Sequence, residues 1–168
     1  MGVVTIVVII AVELCAVRAE SSPRMHNSDE EMVRRILLAL DDSDECGRAL
    51  PLTRELARGS AASVVVLHVR EKQVCCCGEP WETPMSCSPD QLVEYAVKSL
   101  RSAGVEAQAE ILNSAGRAAE SILDAAEYFE ADLLVAGWQR KHTLGGLLEK
   151  SVSQKLSERS KRPLLLVP

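Results

Sequence analysis

Apolar residues fall in short blocks set between longer stretches of helical periodicity. Val33 to Leu40 (VRRILLAL) reads as a short strand that ends at Asp41-Asp42-Ser43. Asp42, with Glu45 three residues on, has the spacing of a capping box, so a helix starts there. It runs to about Arg58, with Gly59 as its stop; Gly47 and Pro51 weaken its interior, and Pro51 predicts a kink. Ser63 to Val69 (SVVVLHV) carries an unbroken run of β-branched valines followed by Leu67, the mark of a strand buried on both faces. Ser88-Pro89-Asp90-Gln91 starts a better helix, with Ser as N-cap, Pro at the first helical position and Gln completing the box. Leu92, Ala96 and Leu100 then recur on one face and Gly104 closes the helix. Val105, Ala107, Ala109 and Ile111 alternate with Glu106, Gln108 and Glu110, which predicts a half-exposed strand at a sheet edge. Residues 117–130 make a helix with Ile122, Ala126 and Phe129 on one face. Leu133 to Ala136 is a short buried strand, Leu147 to Ser160 the last helix, and Pro163 to Val167 the last strand.

Strands alternating with helices in this way imply an α/β domain: an open, doubly wound parallel sheet with right-handed crossovers and helices on both faces. Ligands of such sheets sit beyond the carboxyl ends of the strands, where the strand order switches. In this chain those ends are Asp41, Val69 and Gly137.

The chain has 168 residues, 47% apolar and 26% charged, enough for one domain with a real core. Its net charge of −5 argues against a general nucleic-acid or membrane-surface binder. Aromatic residues are only 3%, and the apolar weight falls on Val, Leu, Ile and Ala, which suits a buried parallel sheet. Residues 1–31 read differently. Gly2 to Val12 is an apolar run too short to span a bilayer comfortably, and residues 20–31 are polar and linker-like. The run resembles the core of a secretory signal, with Val17-Arg18-Ala19 as a cleavage site, but no basic segment precedes it. An N-terminal extension over 1–31 ahead of a domain over 32–168, in a cytoplasmic protein, is the expectation.

Together RRILLALDDS, VVVLHV, ADLLVAG, TLGGLL and SVSQKL…RPLLLVP, in that order, resemble the universal stress protein family from Val33 to Pro168. The resemblance implies a Rossmann-like, adenine-nucleotide alpha-hydrolase-like fold of five parallel strands in the order 3-2-1-4-5. The family's nucleotide-binding branch carries Gly-x2-Gly-x9-Gly-Ser after the fourth strand. Gly137 fills the first position, Arg140 the second, Lys150 the third and Ser151 the serine, so the spacing is intact and two glycines are replaced. Glycines there let backbone N–H groups approach phosphate and permit left-handed torsions. A side chain obstructs both, while Arg140, Lys141, His142 and Lys150 offer cations in exchange. By the same resemblance Asp41 lies near ribose and adenine, and Val69 offers its backbone to the base. The plain alternative is that Asp41 and Asp42 cap a helix, Val69 is core, and the basic loop is solvated. ATP is the candidate ligand, with weakened binding; a nucleotide-free interaction module is the alternative. The terminal strand (PLLLVP) is expected at a sheet edge, and the resemblance implies a homodimer through it, with Pro163 and Pro168 limiting the pairing.

Residues 71–88 form a long connection that holds Cys75, Cys76, Cys77 and Cys87. Their CCC-x9-C order lacks the paired spacing that suits zinc, and no metal is expected. Thiol redox chemistry is a further alternative, set against a variable loop whose cysteines stay reduced. His26 falls in the linker, His68 is expected as a packed core residue, and no nucleophile–base constellation accompanies His142. The chain reads as a regulatory module with protein partners that the sequence does not name, and not as an enzyme.

Overall fold

The expected strands assemble around β1 (Arg35–Ala39), whose neighbours are both parallel to it: β2 (Ser63–Val74) on one side and β5 (Leu133–Gly137) on the other. These coordinates are a computed structural model and describe residues 33–41, 44–74, 80–82, 88–138 and 151–168, with backbone alone at 44–46, 72–74 and 80–82. The 1–31 extension, the Asp42 cap and the cysteines at 75–77 and 87 therefore lie outside the described residues. One compact unit spans Met32–Pro168.

The remaining elements are β3 (Pro80–Glu82), β4 (Ala107–Ser114), β6 (Leu164–Val167) and the helices α1 (Asp44–Ser60), α2 (Pro89–Ser102), α3 (Ala118–Tyr128) and α4 (Val152–Arg159). The parallel strands run β4-β2-β1-β5-β6, which is the expected order 3-2-1-4-5. Alternation within β1 divides the core. Ile36 and Leu38 join Val64, Val66, Ala96 and Leu100 under α1 and α2, while Leu37 and Ala39 join Val65, Leu67, Ile122 and Leu156 under α3 and α4. Both faces of the central strands are thus dry, which is why they read as continuous apolar runs. Register is pinned at the start of β1: Asp132 Oδ2 accepts from the backbone N–H of Arg34 at 2.8 Å and of Arg35 at 2.9 Å.

Three expectations need correction. β2 does not stop at Val69; it continues alongside β4 as far as Glu71 and then pairs antiparallel with β3 through Lys72, Gln73 and Val74. Part of the expected 71–88 loop is therefore an antiparallel strand pair, missed because Arg70, Glu71 and Lys72 look like loop residues when burial is the guide. Second, α1 passes through both Pro51 and Gly59 and ends at Ser60, just before Ala61, which takes the left-handed conformation (φ 54°). Ala62 N–H then donates to Ala57 O at 3.0 Å, and burial of Ala62 anchors the turn in place of glycine's conformational freedom. The end of α3 repeats the device, with Glu130 at φ 52° and buried Ala131 bonding to Ala126 O at 2.9 Å. Third, Ser151 is the extended N-cap of α4 (φ −62°, ψ 159°), so the helix begins at Val152, inside the expected Leu147–Ser160 span; residues 147–150 lie outside the described residues. The Ser88–Gln91 capping box and the Gly104 stop of α2 are present as read, Gly104 with φ 80°. Among the described residues β4 and β6 are the edges of the parallel sheet. Among the described residues no helix is long and apolar enough to cross a membrane.

Candidate functional site

At the carboxyl ends of β1, β2 and β5 the sheet runs out and the backbone splays. Leu40 N–H donates to Leu67 O at 2.8 Å as the last rung between β1 and β2, after which Asp41 leaves the sheet exposed. Behind this rung buried His68 donates from Nδ1 to Leu40 O at 2.9 Å; it is a packed structural histidine, as expected, and its tautomer is fixed by the carbonyl it meets. On the other side Trp138 N–H closes onto Val167 O at 2.7 Å, just past Gly137.

Between these ends lies a cleft of about 150 Å³, lined from the sheet by Asp41, Val69, Glu71 and Gly137 and from the helices by Ala118 and Ser153. Leu67, Ile122, Val152 and Leu156 give it an apolar floor. This is smaller than the ~300–1,000 Å³ typical of a small-molecule site, so the described walls seat only part of a nucleotide-sized ligand. Of the residues expected from sequence, the fold brings Asp41, Val69 and Gly137 to one cleft. Ser151 stands beside it as the N-cap of α4, its Oγ accepting from Gln154 N–H at 3.2 Å and lying 3.1 Å from Ser153 Oγ. Arg140 and Lys150 lie outside the described residues.

Sequence reasoning missed Glu71, Ala118 and Ser153. Glu71 follows Leu67 and Val69 at the period of a strand, so carrying the strand two residues further would have put it on the same face. Ser151 and Gln154 carry capping-box spacing, which marks Ser153 as a first-turn residue. Ala118 had no signal of its own.

The charges are uneven. Asp41 and Glu71 are the charged side chains among the described lining residues, and both are acidic. Glu71 Oε1 accepts from Ala118 N–H at 3.1 Å and so caps α3 from a distant strand; the N-cap residue of that helix, Arg117, makes no side-chain cap. Two residues on, within the same first turn, the Glu120 carboxyl is held below the ordinary glutamate range. Its own backbone N–H is the main cause, with the bonded Arg159 guanidinium and the charge of Lys155 adding to it and loss of water opposing. No group of three metal-ligating side chains occurs among the described residues.

A model of the universal stress protein family matches residues 32–168. The chain is 33% identical over 137 residues to the "universal stress protein in QAH/OAS sulfhydrylase 3′ region" of Thermus aquaticus, covering 81% of this chain and 99% of that relative. Among solved structures it resembles a universal stress protein in complex with cAMP, with a TM-score of 0.61 at 21% identity over 82% of this chain and 98% of that one. It also resembles the universal stress protein from Archaeoglobus fulgidus in complex with dAMP, with a TM-score of 0.56 at 19% identity over 82% of this chain and 99% of that one. At such identities the structural likeness speaks for the fold.

Proposed function

Because this chain belongs to the universal stress protein family, we propose that its cleft is an adenine-ligand site and that the protein is a stress-response regulatory module. Occupancy of the cleft, not turnover, is the signal. The observation that carries this reading is the convergence of Asp41, Val69 and Gly137 on one hollow with an apolar floor, beside the start of α4. The related structures with cAMP and dAMP support the ligand class.

In this reading the Val69 backbone meets the base and Asp41 the sugar. The first turn of α4, with Ser151 at its cap, faces a phosphate, since unpaired N–H groups and the helix dipole favour an anion there. Arg140 and Lys150 supply charge in place of the family's glycines. Among the described residues β6 is a short edge strand paired with β5 alone, which supports a homodimer built along its other side.

A second reading, the nucleotide-free interaction module, draws support from the small cleft and its two carboxylates. Titrating AMP and Mg-ATP into the full chain by calorimetry, with the Arg140→Gly/Lys150→Gly variant beside it, separates the two. Micromolar binding of either ligand by the parent supports the adenine site. Binding by the double variant alone means that the pocket survives and the protein has abandoned the ligand. Silence from both proteins removes the adenine reading.

A further inference from the structure

We propose that Glu71 sets the ligand class of this cleft, selecting adenine compounds with one phosphate or none over the triphosphate. The inference rests on the adenine-ligand reading and deepens it.

Leu67, Val69 and Glu71 alternate along β2 and all line the cleft, so a ligand that meets Val69 lies one strand period from the Glu71 carboxylate. That carboxylate is held in place, with Oε1 3.1 Å from Ala118 N–H, the first helical N–H of α3. An exposed helix start is where a phosphate would gain most from the helix dipole. Here the protein's own anion already holds the donor. A phosphate reaching toward α3 would find the N–H taken and a negative charge beside it, and Asp41 lines the same cleft with the same sign. An ionised carboxylate only accepts hydrogen bonds, so it welcomes a sugar hydroxyl or a ring amine and repels phosphate oxygens. The start of α4 is capped by a neutral hydroxyl from Ser151, and among the described residues no carboxylate caps it. The cleft therefore has one end suited to a phosphate and one that rejects it. A chain of three phosphates does not fit that polarity as well as a single one.

The test is a calorimetric titration of the full chain and of Glu71→Gln with adenosine, AMP and magnesium-free ATP. Glutamine keeps a carbonyl acceptor for Ala118 N–H and removes the charge. The parent should bind ATP about tenfold or more weakly than AMP, and Glu71→Gln should close most of that gap by tightening ATP while leaving adenosine unchanged. ATP binding as tightly as AMP in the parent overturns the proposal, as does an equal change for all three ligands in the variant. If neither protein binds any of the three, the adenine reading itself is lost and this inference goes with it. Should the variant fail to fold, as judged by circular dichroism, the parent alone decides. Its AMP-to-ATP ratio should narrow when salt rises from about 0.05 to about 0.5 M, because screening weakens charge discrimination. A ratio that ignores salt overturns the proposal.

Discussion

The starts of α3 and α4 border the same cleft, and they satisfy the same backbone requirement in opposite ways. α4 is capped locally: Ser151 bonds to Gln154 N–H within its own turn, by a neutral hydroxyl. α3 is capped from afar: Arg117 contributes no side-chain cap, and the Glu71 carboxylate reaches across from β2 to Ala118 N–H. Each start has one of its free donors met by a side-chain oxygen, out of the several that a helix terminus leaves. The first solution adds no charge of its own to the helix end. The second supplies an anion. Identical secondary structure thus presents two different chemical ends to one ligand site.

The strongest way to break this comparison is to remove the core that the two helices share. Leu156 of α4 is wholly buried and joins Ala119, Ile122 and Ala126 of α3 in one cluster. Leu156→Ala should lower unfolding free energy by about 2–5 kcal/mol, read by urea denaturation. Amide exchange should rise in both helices together; a rise in α4 alone would mean that the two ends stand independently. Smaller effects sharpen the local-versus-distant contrast. Ser151→Ala should cost about 1 kcal/mol and Ser151→Asp should restore it, while Glu71→Ala should cost a similar amount that no substitution at Arg117 is needed to explain. Equal stability of Ser151→Ala and the parent would deny the cap its role. The smallest effect concerns pH. Glu120 is held below its unfolded value, so its contribution is present above the ordinary glutamate range and is lost as pH falls through the folded value. Melting temperature should therefore decline more steeply under acid for the parent than for Glu120→Gln, and parallel curves would show that the ionised Glu120 carboxylate, with its backbone bond and its Arg159 bridge, adds nothing.

Much of the architecture was legible because it depends on local chemistry. The β-branched run at Val64–Val66, the Ser88 box and Gly104 each act through neighbours in sequence, and each appears where it was read. The helix stops at Ala61 and Glu130 were not legible, although they use the same backbone turn as Gly104. There the turn is held by burial of the following alanine, and burial belongs to the assembled fold. In the candidate site, Asp41, Val69 and Gly137 could be located because strand ends follow from the apolar pattern. Glu71 could not, because a charged residue at a strand's end looks like the beginning of a loop until its partner is known.

By itself, then, the sequence determined the order of elements, the double-faced burial of the central strands and the family to which the chain belongs, since those follow from periodicity and short motifs. Only the tertiary structure decided which distant groups meet. Asp132 reaches Arg34 and Arg35 across 98 and 97 residues, and Glu71 reaches Ala118 across 47. Such meetings depend on strand register and crossover geometry, and a one-residue slip would turn every side chain of the strand to the other face.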